Sequence, residues 1–84
     1  MPRFFLHMVN DEMSTVDEEG MDLPDLKAAC DYARETLGAI IGDELRGGRN
    51  LIHLSIMIDD DSRARVANIK AVTNVVMSTS PFSA

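Results

Sequence analysis

Between Asp22 and Arg46 the apolar residues Leu26, Ala29, Cys30, Ala33, Leu37, Ile40, Ile41 and Leu45 recur at steps of three and four, the spacing of one helical face. Such a stripe is stable only against another apolar surface, and the flanking segments supply one. In Arg3–Val9, alternation puts Phe4, Leu6 and Met8 on one face and Phe5, His7 and Val9 on the other. In Leu51–Ile58 it separates Ile52, Leu54, Ile56 and Ile58, a core face, from Leu51, His53, Ser55 and Met57. One long helix between alternating segments predicts an α+β fold with the helix lying across one face of an antiparallel sheet.

The punctuation refines this. Asp22 is placed to cap the helix, Pro24 is tolerated in a first turn, and Asp25 adds negative charge near the positive end of the helix dipole. Arg46-Gly47-Gly48 ends it. Gly38 and Gly42 each cost about 1 kcal/mol relative to Ala within a helix. Either another backbone approaches there or the long stripe tolerates them. Asn10, Asp11 and Glu12 form a turn and Ser14–Asp17 a returning strand, after which Gly20 takes the chain out of the sheet. Asp59 to Ser62 form a second turn leading to a fourth strand at about 64–71. Val66, Ile69, Val72 and Val76 also suit a helix, and residues 73–78 stay open between the two. The expected topology is therefore ββαββ, four strands in the order 2-1-3-4, with the apolar first and third strands central.

At 84 residues the chain is expected to form a single domain over 1–78, with a flexible C-terminal tail over 79–84. A chain of this size buries only about 60–65% of its unfolded surface, which disfavours a deep enclosed site. The lone Cys30 closes no intrachain disulfide and suggests a reducing compartment. The absence of a long apolar run or a signal-peptide pattern makes a cytoplasmic location the expectation, with no membrane contact. A net charge of −6 opposes binding of phosphate backbones, so no nucleic-acid partner is expected.

The chemistry-bearing residues give little. Seven of the fourteen acidic residues fall between Asp11 and Asp25 with no basic residue among them, but without the spacing of a calcium loop. The same template begun at Asp59 puts Arg63 and Ala64 where it needs an oxygen ligand and a glycine. His7 and His53 could act as acid–base groups or metal ligands, yet two imidazoles fall short of the three protein ligands usual for catalytic zinc. Cys30 lies on the apolar stripe, where a thiol behaves as a small hydrophobe. No catalytic residue, metal or cofactor is assigned.

Pro2 to Phe5, the run Asp17-Glu18-Glu19-Gly20 and the helix start Leu23-Pro24-Asp25 resemble a family of short bacterial proteins of unknown function. Its members open with a PRYFF-like strand and carry a DEEG followed by an LPD motif. The resemblance covers about residues 2 to 72 and implies a strand-strand-helix-strand-strand unit with no established activity. The turn Asp59-Asp60-Asp61-Ser62 departs from the family pattern, in which the acidic turn ends in glycine. In element order alone the chain is also similar to the partner-binding domain of HicB-type antitoxins.

One helix covers one side of a sheet, so strand parity leaves Phe5, His7, Val9, Leu51, His53 and Met57 on the other as a possible interface. A symmetric dimer through that face is expected, unless residues 73–78 fold back over it. The functional expectation is a small non-enzymatic binding or regulatory module acting through protein–protein contacts as a homodimer. The alternatives are an antitoxin-like partner-binding protein and a metal-assisted hydrolase using His7 and His53.

Overall fold

The computed structural model describes residues 1–79, so the tail expected over 79–84 lies almost wholly outside the described residues. Its elements are β1 (Arg3–Asn10), β2 (Ser14–Thr15), β3 (Met21–Asp22), α1 (Leu26–Arg46), β4 (Leu51–Asp59) and β5 (Arg65–Asn74). All strand pairs are antiparallel. The main path is β2-β1-β4-β5, and β3 pairs with β1 off that path, so count and order depart from the four-strand expectation.

The departure lies in the strand returning from β1. Met8 and Val9 face Thr15 and Ser14, whereas Arg3 and Phe4 face Asp22 and Met21. Residues 16–20 thus stand opposite only residues 5–7, and the strand expected over Ser14–Asp17 is broken by a wide bulge. The helix start moves with it. Asp22 belongs to β3, and the cap is Asp25, whose carboxylate accepts the Ala28 N–H at 2.9 Å. At the other end Gly47 donates its N–H to the Asp43 carbonyl at 3.0 Å.

Helix α1 packs chiefly over β4 and β5. Ala29, Ala33 and Leu37 meet Phe4, Ile52, Leu54, Ile56 and Ile58 in a buried core, with Cys30, Ile40 and Ile41 half-buried at its margin. Small side chains on α1 let it sit close to the branched residues of β4, which raises packing density where the domain has least volume. Strand β5 runs to Asn74, past the expected end at 71, and Val75 still donates to the Asn50 carbonyl at 2.7 Å. Residues 76–78 do not fold back over the sheet, since Val76 and Met77 are 80% and 77% exposed. No helix among the described residues is long and apolar enough to cross a membrane.

Candidate functional site

The sheet face away from α1 divides into a polar, internally satisfied end and an open end. At the first, cross-strand pairing sets Phe5 opposite Asp59, His7 opposite Met57 and Asp59 opposite Arg65. The backbone N–H of Asp17, in the bulge, donates to Nδ1 of His7 at 3.0 Å. A nitrogen that accepts carries no proton, so the ring is the Nε2–H tautomer and donates to Oδ2 of Asp59 at 3.0 Å. The other oxygen of Asp59 accepts from Nε of Arg65 at 2.6 Å, and the Arg65 guanidinium also reaches the Met57 sulfur at 3.0 Å. The His7 and Asp59 side chains are only 14% and 12% exposed.

Both carboxylates are tuned by these contacts. The Arg65 guanidinium, helped by the His7 ring, holds the Asp59 carboxyl below its ordinary range against a smaller opposing effect of burial. Burial raises the Asp17 carboxyl, but the amides of Gly20 and Leu6, at 3.0 and 3.1 Å, are among the donors that outweigh it and leave it lowered. Leu6 would otherwise lack a partner on that side of β1, so Asp17 stands in for the strand the bulge displaces.

Of the six residues expected to form an interface, Phe5 is buried, not exposed. Gly20 lies against its ring edge, and the Arg63 guanidinium sits 3.9 Å from its centroid. His7 and Met57 are engaged as described, and Val9 and His53 are half-buried. Leu51 alone is well exposed. His53 lies beside a shallow depression of about 190 Å³ with Val9, Asp11 and Lys70. The two histidines do not converge: Met57, opposite His7, is four residues from His53 along β4, roughly 13 Å at strand rise. Among the described residues no cluster of His, Cys, Asp and Glu is placed to hold a metal ion.

Sequence reasoning missed the outer edge of β5. Because Val75 donates toward β4, the odd-numbered amides from Ala67 to Thr73 point inward, and those of Asn68, Lys70, Val72 and Asn74 point away from the sheet; the register shifts at Val66, between Ala67 and Arg65. Among the described residues nothing pairs with them. Beside this edge runs a groove of about 290 Å³ between β5 and α1, lined by Arg34, Leu37, Gly38 and Ile41 on one side and Ile69, Lys70 and Ala71 on the other. Only the spread of apolar residues beyond 71 hinted at so long a strand.

Residues 3–73 match the family model described as a domain of unknown function, DUF6894. No curated protein and no solved structure matches the chain.

Proposed function

The chain belongs to that family, and from there we propose that it is a small, non-enzymatic protein-binding module that accepts an extended segment along the outer edge of β5. The observation carrying this reading is the row of outward amides at Asn68, Lys70, Val72 and Asn74 beside an apolar groove. Main-chain hydrogen bonds to such an edge supply affinity, and a neighbouring groove takes alternate side chains of the added strand. The non-enzymatic part rests on His7, both of whose ring nitrogens are engaged within the chain. Antitoxin-like partner binding is one form such a contact can take.

The test is selection of a displayed random decapeptide library against the full chain, with counter-selection against Lys70→Pro. Proline removes one outward N–H and is tolerated at sheet edges. Peptides should be recovered that bind the wild type, fail on Lys70→Pro, and slow amide exchange at residues 68, 70 and 72. Peptides that bind both proteins equally would refute the reading.

A further inference from the structure

The open edge carries a sequence with two-fold character. Residues 66–72 read Val-Ala-Asn-Ile-Lys-Ala-Val, which is the same in both directions about Ile69 except for Asn68 and Lys70. Two antiparallel strands related by a two-fold axis place residue i of one opposite residue j of the other and the reverse, and the near-palindrome sets side chains of matching size opposite each other when that axis passes through Ile69. We infer that β5 pairs with β5 of a second copy of this chain, antiparallel and centred on Ile69. The inference rests on the strand acceptance proposed above and names its occupant.

In that register Ala67 faces Ala71, and each Lys70 faces Asn68 of the other copy, not its own image; the regular pairing stops at Ala67, because Val66 is the extra residue of a bulge between Arg65 and Ala67. A register centred on Lys70 would oppose two like charges. The backbone agrees with the first arrangement. Amides 68, 70 and 72 point outward, so Asn68 and Lys70 form a hydrogen-bonded pair across the axis and Ile69 a non-hydrogen-bonded one, where side chains come closest.

The helices fit as well. Since α1 lies over β4 and β5 and strands are spaced about 4.8 Å apart, the two copies of α1 would run about 10 Å apart, which is helix-packing distance. The α1 residues on the groove side toward the axis are Arg34, Gly38 and Ile41, with the buried Leu37 at the groove floor. A Cβ on Gly38 would meet nothing of its own chain within 4 Å. No described side chain fills that space, which leaves room for the close approach of a second helix. The added sheet also shields Val72, which is 56% exposed in the single chain.

Sedimentation velocity on the full chain is the test. The wild type should be dimeric at high micromolar concentration and Lys70→Pro monomeric. The register is read by opposite charges at one exposed position. Asn68→Glu creates two symmetric pairs with Lys70 and should tighten the dimer about threefold to tenfold, and Asn68→Lys should weaken it by a similar factor. A wild type that stays monomeric overturns the inference, while the peptide selection still decides whether β5 accepts a strand. A dimer that responds alike to both charge variants also overturns it, because association then lies elsewhere.

Discussion

Gly20 and Gly38 carry the same side chain into opposite circumstances. Gly20 has φ +75°, and a Cβ there would lie 2.8 Å from both Cγ of Arg3 and Cε2 of Phe5 and 3.0 Å from the Phe4 carbonyl oxygen. The ring is buried and the carbonyl is backbone, so neither yields readily. Gly20→Ala should lower unfolding free energy by about 2–3 kcal/mol, the left-handed backbone penalty plus the clash. At Gly38 a methyl group meets open space within the chain. In dilute protein Gly38→Ala should therefore raise stability by up to about 1 kcal/mol through helix propensity alone. Urea denaturation of the two variants beside the wild type gives both signs, and a loss at Gly38 would contradict the described packing of α1.

At the level of elements, β1, β4 and β5 are tied on their open face by the line of contacts from Asp17 through His7 and Asp59 to Arg65. Both carboxyls are lowered in the folded protein, so as pH falls the unfolded chain takes up protons first. The stabilisation is complete above the ordinary carboxylate range and fades as pH drops through it toward the lower folded values. The urea midpoint should therefore fall between about pH 5 and pH 3, and Asp59→Asn should flatten part of that fall. A midpoint in Asp59→Asn that falls as steeply as in the wild type would remove Asp59 as a source. Which parts of this were legible follows from range. The stripe from Leu26 to Leu45 and the alternation of β1 and β4 are local patterns, and they specify the helix, the antiparallel sheet and the core face. The two-residue strand β3 is too short to show a period. The cover over Phe5 comes from Gly20 and Arg63, and the partner of His7 lies 52 residues away; neither distance leaves a mark on the spacing. The cap moved from Asp22 to Asp25 because β1 claims Asp22 for pairing, a tertiary demand that local propensity does not register.

For the molecule as a whole, one small core sets the stability. Ile58 is fully buried and Ile56 nearly so. Ile58→Ala should cost about 2–5 kcal/mol against a total of roughly 4–12 kcal/mol for a chain of this length. Thermal unfolding followed by circular dichroism should show a large drop in midpoint, and a shift of only a degree or two would mean the site relaxes around the loss. The two borders of the sheet are equally telling. Beside β1, the strands at Ser14–Thr15 and Met21–Asp22 are two residues each, and the bulge between them gives the Leu6 amide to the Asp17 carboxylate. Beside β4, by contrast, β5 offers a regular run from Ala67 to Asn74. Growth of a fibril requires every added unit to present a fresh template on its far side. Among the described residues only the β5 side is such a template, so strand addition there would end after a single step, with the bulge between β2 and β3 acting as a terminator against polymerisation.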